Sequence, residues 1–94
     1  MIRGYGDGRT ERFAKGERVK QFEPFRRQAE GTPDRLDAAT SLGDIANFPG
    51  HRLEKLQGDR AGTYSVRIND QWRICFTWPE RSSGPANVTI EDCH

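Results

Sequence analysis

The sequence lacks any apolar stretch approaching the roughly 18 residues that span a membrane, and its first residues carry no apolar signal-peptide segment, so a cytoplasmic protein without membrane contact is expected. Cysteine is scarce. Cys75 and Cys93 stand alone and far apart, without the close paired spacing of zinc ligands or a secretory context, which argues against a disulfide framework and predicts two reduced thiols. His51 and His94 are the only histidines, and two distant Cys/His pairs do not make a zinc site, so no metal is expected. No Gly-Lys-Ser/Thr follows Tyr5-Gly6-Asp7-Gly8, which excludes a phosphate loop, and no other cofactor motif is present. Internal repeats and low-complexity tracts are missing too. An excess of one charge sign is also absent: 15 basic residues face 14 acidic ones, for a formal net charge of +1. Nucleic-acid affinity grows with the number of phosphates neutralised, so tight unaided binding to DNA or RNA is not expected.

What is present is one modest core. Only 33% of the 94 residues are hydrophobic, and two cores sharing so little apolar surface would not offset chain entropy. Residues 1–94 are therefore expected to form a single domain, and so light a core gains stability from any partner that binds only its folded state. Charge gathers locally, with nine Lys/Arg against six Asp/Glu in residues 1–35 and five against three in residues 52–73.

The first half of the chain reads as helical. Tyr5-Gly6-Asp7-Gly8 is a turn-rich run that ends a short edge strand, and Thr10 to Lys15 forms a short helix closed by a left-handed Gly16. Phe22, Phe25, Ala29, Leu36, Ala39 and Leu42 recur mostly three or four apart, the pattern of a helical region with one buried stripe. Pro33 interrupts an incoming helix, whereas Thr32 as N-cap with Pro33 at the first helical position starts a new one. The spacing predicts a helix from about Pro24, broken near residue 32 and resuming to about Ser41. A short turn over Leu42–Ile45 then precedes the loop Asn47-Phe48-Pro49-Gly50.

The second half changes period. Tyr64, Val66 and Ile68 alternate with polar residues, as do Trp72, Ile74, Phe76 and Trp78, the period-two pattern of strands with one buried and one wet face. Asn69-Asp70-Gln71 turns between them, making a hairpin. Leu53 and Leu56 bracket Glu54 and Lys55 in a further strand or its lead-in, before the turn Gly58-Asp59-Arg60, and Val88 to Cys93 forms a last strand that brings His94 to the sheet. The order predicts an α+β fold: a small twisted antiparallel sheet with N-terminal helices packed on one face and the other face open for function.

Arg67, Arg73, Cys75 and Thr77 fall out of phase with the apolar set and are expected on that open face. Guanidinium groups there can clamp a phosphate through two parallel hydrogen bonds. The plainer reading pairs them across strands with Glu91 or Asp70 as solvated sheet residues. His94 has an imidazole suited to moving protons near neutral pH, while a terminal histidine is more often frayed and idle. His51 reads as a loop residue. Cys93 and His94, adjacent on a strand, point to opposite faces, which disfavours a thiol-imidazole pair.

Three stretches, Leu36-Asp37-Ala38-Ala39-Thr40, Arg52 through Gly62 and Asn69 through Phe76, together with the ending Ile90-Glu91-Asp92-Cys93-His94, resemble HigB-type toxins of the RelE/ParE superfamily. Residues 5–35 match only loosely. The resemblance implies a RelE-like fold and a ribosome-dependent, metal-independent endoribonuclease that cuts messenger RNA in the A site of the small ribosomal subunit. It also implies a helix-turn-helix, HigA-like antitoxin as partner. The catalytic positions it implies are Arg73, Asp92 and His94, with Glu54 where some members carry His and Cys93 where Tyr commonly stands. The basic residues Arg52, Lys55, Arg60 and Arg67 would hold RNA phosphates. Two other readings stay open: a toxin of the same fold that blocks a protein target such as a topoisomerase, and an inactive module that binds only the antitoxin.

Overall fold

A computed structural model of the chain describes residues 2–29, 31–46, 53–56, 58, 62–69, 71–79 and 84–92. The expected loop over residues 47–50 lies outside them. Helix α1 spans Gly8–Ala14; a 3₁₀ helix, Lys20–Phe25, runs into α2, Arg26–Ala29; α3 is Thr32–Ala38 and α4 is Leu42–Ala46. Four strands follow: β1 (Glu54–Lys55), β2 (Thr63–Arg67), β3 (Trp72–Thr77) and β4 (Ala86–Asp92), in the order β1-β2-β3-β4. All neighbours are antiparallel. This is the α+β arrangement that the change of period predicts, with both expected hairpin strands and the short Glu54–Lys55 strand in place.

Helix α1 has a chemical reason for each end. Asp7 accepts the backbone N–H of Thr10 at 2.7 Å as N-cap, satisfying one of the donors that a helix start leaves without an intrahelical partner. At the far end, Gly16 has φ +91°. Its N–H donates to Phe13 and that of Glu17 to Arg12, both at 3.0 Å, which is the Schellman pattern a left-handed residue permits.

The helix expected from about Pro24 starts earlier, as a tighter 3₁₀ turn over Lys20–Phe25 with Pro24 inside it, and continues as α2. Pro has no N–H to donate, and a short 3₁₀ segment tolerates that loss better than a long α-helix does. The break near residue 32 is present, but Gly31 takes the N-cap position and Thr32 the first helical one. Helix α3 also stops at Ala38 rather than near Ser41. Ala39 is already extended, at φ −69° and ψ 137°, because Thr40 and Ser41 serve the next helix. Ser41 Oγ accepts the Asp44 N–H at 3.3 Å, and the Asp44 carboxylate accepts both the backbone N–H and the hydroxyl of Thr40 at 2.9 Å.

The core lies between these helices and one side of the sheet. Phe13, Val19, Phe22, Phe25, Ala29, Leu36, Ala39 and Ile45 meet Val66, Ile74, Phe76, Val88 and Ile90. Trp72 stacks on Phe25 with ring centroids 4.6 Å apart, and Phe22 presents its edge to Phe13 at 5.5 Å. Fully burying one such side chain is worth about 1.5–3 kcal/mol, so this aromatic cluster carries much of a small core.

The free edge of β4 is closed by the start of the chain. Arg3 N–H donates to Pro85, Val88 N–H to Gly4 and Gly6 N–H to Val88, at 2.7, 3.1 and 2.9 Å, forming a parallel bridge at Tyr5 and Val88. The expected N-terminal edge strand thus exists as a short parallel addition. Burial first, then Asp37, Glu11 and Asp34, hold the Tyr5 phenol above its ordinary pKa. One residue pair further along, the Ile90 N–H donates to the hydroxyl of fully buried Thr10 at 3.0 Å. A helix side chain there replaces the missing strand.

Replacing Thr10 by the near-isosteric Val leaves the Ile90 N–H buried without that acceptor, and a loss of about 1–3 kcal/mol is expected; an unchanged urea midpoint would refute the role given to Thr10. The hydrogen bonds from Thr40 hold the Asp44 carboxyl below its ordinary pKa. A lowered native pKa contributes stability that is present above the ordinary carboxylate value and is lost as pH falls through the lowered one. Thermal midpoints recorded through that acid range should therefore fall more gently for Asp44→Asn than for the parent chain.

Candidate functional site

The far side of the sheet is built by strand register. Glu54 faces Ser65, Ser65 faces Cys75 and Cys75 faces Thr89, forming one rung across all four strands. The neighbouring rung is Arg67, Arg73 and Glu91. Residues directly opposite in an antiparallel pair share a face with Cβ atoms about 4.5–5.5 Å apart. Glu54, Arg67 and Arg73 are therefore on one side, which the alternation predicts for the two arginines.

Two expectations about this side need correction. Its centre is not open, since Ser65 and Cys75 are 3% and 1% exposed. Both are small side chains set among longer ones, and Arg73 reaches back over the strand to place Nη1 3.4 Å from Ser65 Oγ. Nor is the face simply basic among the described residues, because Glu54 and Glu91 stand beside the two arginines. A balanced face attracts phosphate locally at each guanidinium rather than through a broad positive field.

Arg67 and Arg73 occupy the same rung, and like charges directly opposite repel. The two side chains leave in opposite directions. Arg67 Nε donates to the Asn69 carbonyl at 3.2 Å, toward the hairpin turn, while Arg73 runs toward Ser65 and the sheet centre. Glu91 flanks Arg73 on β4, the cross-strand neighbour that the plainer reading expects, and accepts the Thr89 hydroxyl at 2.6 Å. Asn69 shapes the turn itself: its Oδ1 accepts the N–H groups of Gln71 and Trp72 at 2.8 Å, and its amide donates to Gln28 on α2. These bonds tie the Arg67 end of the site to the helical layer.

The other expected residues are placed differently. Asp92 faces Trp72, one position out of phase with Glu91, so it takes the helix side at the exposed end of β4, where Gln71 Nε2 donates to it at 3.2 Å. Lys55 faces Tyr64 and also lies on the helix side, exposed at the sheet edge. Arg52, Arg60, Asp70, Cys93 and both histidines, His51 and His94, lie outside the described residues. Ser65 joins the site without having been singled out for it, and Glu91 joins it as the cross-strand partner that the plainer reading names. Their phase is legible in the alternation of β2 and β4, but that they meet Arg73 depends on the register between strands.

Chemically, the face offers a guanidinium aimed across the sheet and a carboxylate two strands away, at Glu54. Among the described residues no three His, Cys, Asp or Glu side chains gather closely enough to hold a metal ion, and no helix is long and apolar enough to cross a membrane.

Residues 5–94 match the family described as RelE-like toxins of the type II toxin-antitoxin system HigB. Toxin HigB-1 of Vibrio cholerae serotype O1 is 44% identical over 59 residues, covering 63% of this chain and 59% of that protein. Endoribonuclease HigB of Proteus vulgaris is 35% identical over 60 residues, covering 63% of this chain and 61% of that protein. The matched stretch thus spans about three fifths of each relative.

Proposed function

The chain belongs to the HigB-like family of RelE-like toxins of type II toxin-antitoxin systems, and from that premise we propose that it is a ribosome-dependent endoribonuclease that stops translation by cutting messenger RNA. The observation that carries the reading is the family match over nearly the whole chain. Support comes from the likeness to the Proteus vulgaris relative, named an endoribonuclease, and from a guanidinium held over the middle of the sheet face.

In this reading a ribose 2'-hydroxyl attacks the adjacent phosphate, a cyclic phosphate forms and the 5'-oxygen of the next nucleotide leaves. Arg73 stabilises the pentacoordinate phosphate, whose negative charge exceeds that of the ground state. Glu54 accepts the 2'-hydroxyl proton, and His94 delivers a proton to the leaving oxygen. Asp92 stands on the helix side of the sheet at the exposed end of β4, away from the phosphate on the Arg73 face, and its proposed role is to orient that imidazole from the end of the strand. Arg67, on the face of Arg73, holds a flanking phosphate, Arg52 and Arg60 hold others, and Lys55, on the helix side at the sheet edge, reaches RNA only beyond that face. The balanced charge of the face suits an enzyme that meets its messenger already positioned in the A site of the small ribosomal subunit, because it does not need to capture RNA by net charge. The setting is cytoplasmic, residues 1–94 act as one toxin domain, and the partner is a helix-turn-helix antitoxin of the HigA kind.

The test is cleavage of messenger RNA in a translating extract. Arg73→Ala is expected to lower the rate about 10²- to 10³-fold, the scale of removing one charge-stabilising donor, and His94→Ala to abolish growth arrest. If arrest persists without His94 while messenger RNA stays intact, the toxin acts by blocking a protein target instead.

A further inference from the structure

Among the described residues, Ser65 is one of three buried polar or charged ones, with Thr10 and Thr32. The Thr10 hydroxyl serves the Ile90 N–H. That of Ser65 accepts from Arg73 Nη1, eight residues away in sequence and on the next strand. A buried hydroxyl is costly to keep unless it makes a hydrogen bond, so its place at the centre of the face calls for a role.

We propose that Ser65 is a positioning residue that aims the Arg73 guanidinium at the scissile phosphate; the proposal rests on the reading of Arg73 as the group that stabilises the transition state. Three observations converge on it. Arg73 has two directions open along the face, and Arg67, on the same rung, occupies the one toward the hairpin turn. Ser65 lies in the other direction and receives the guanidinium. Ser65 also shares its rung with Glu54, so the contact brings the guanidinium beside the rung that carries the carboxylate. Without Ser65 the Arg73 side chain keeps its charge but loses one acceptor on the side toward the sheet centre, and small misplacements of a charge-stabilising group are expensive in rate. A side chain that holds a transition-state group, and does not touch RNA itself, affects turnover more than binding.

The experiment measures kcat and KM on ribosomes programmed with a defined messenger RNA, for Ser65→Ala and Ser65→Thr, with thermal midpoints and the ¹⁵N resonances of the Arg73 side chain alongside. Ser65→Ala is expected to lower kcat about ten- to a hundredfold with KM within about twofold, and to move the Arg73 resonances. Ser65→Thr, which keeps the hydroxyl, is expected to recover most of kcat. An alanine variant that folds and cleaves as the parent does overturns the proposal, as does a loss confined to KM. If the threonine methyl prevents folding, the alanine variant and the Arg73 resonances decide alone. Failure of the nuclease reading is separable: the parent chain would then leave messenger RNA uncut, while the resonance shift in Ser65→Ala would still report whether Ser65 holds Arg73.

Discussion

Everything on the functional face hangs on the register of β3 between its two neighbours. Trp72, Ile74 and Phe76 enter the core from one side of that strand, and Arg73, Cys75 and Thr77 leave from the other. A slip of one residue would push Arg73 under the helices and lift Ile74 into water, a double cost that no surface contact could offset. The aromatic packing of Trp72 on Phe25 and the burial of Ile74 and Phe76 therefore fix where Arg73 stands. Core and site are two sides of one strand.

The edges of the sheet are held unequally. Strand β4, which carries Glu91 and leads to Asp92, is covered by residues 3–6 and by the Thr10 hydroxyl. Helix α1 is thus joined to the strand that runs into the candidate catalytic segment. At the opposite edge, β1 is two exposed residues paired with β2. Glu54 therefore sits on the lightly held margin of the face, whereas Arg73 sits at its middle. With Arg73 proposed to stabilise charge and Glu54 proposed to accept a proton, this placement suits a substrate that arrives already positioned, because the substrate can supply the final alignment at the sheet margin.

The face is also more economical with charge than its arginines suggest. Glu54 and Glu91 offset Arg67 and Arg73, and the mutual repulsion of the two arginines sends them along opposite directions of the strand pair. Under the proposed function, a phosphate would be held on this surface by local geometry more than by net field. The same balance limits binding to free nucleic acid, where counterion release rewards many contacts at once.

Much of this was legible in the sequence because period-two alternation is a property of the backbone. Tyr64, Val66 and Ile68 against Arg67, and Trp72, Ile74 and Phe76 against Arg73, name the two faces before any strand is paired. The left-handed Gly16 and the break near residue 32 were equally local, written in one residue's allowed dihedrals or missing N–H. The exact helix ends were not, because Thr40 and Ser41 could cap or continue and only the Asp44 contacts settle which. Local sequence determined the strands, the two faces and the family to which the chain belongs. Tertiary structure alone decided that Ser65 and Cys75 are buried, that Glu91 rather than Asp92 flanks Arg73, and that Thr10 closes the β4 edge. Each of these rests on residues far apart in the chain being brought to one rung or one edge, and no local preference encodes which partner a strand or side chain will meet.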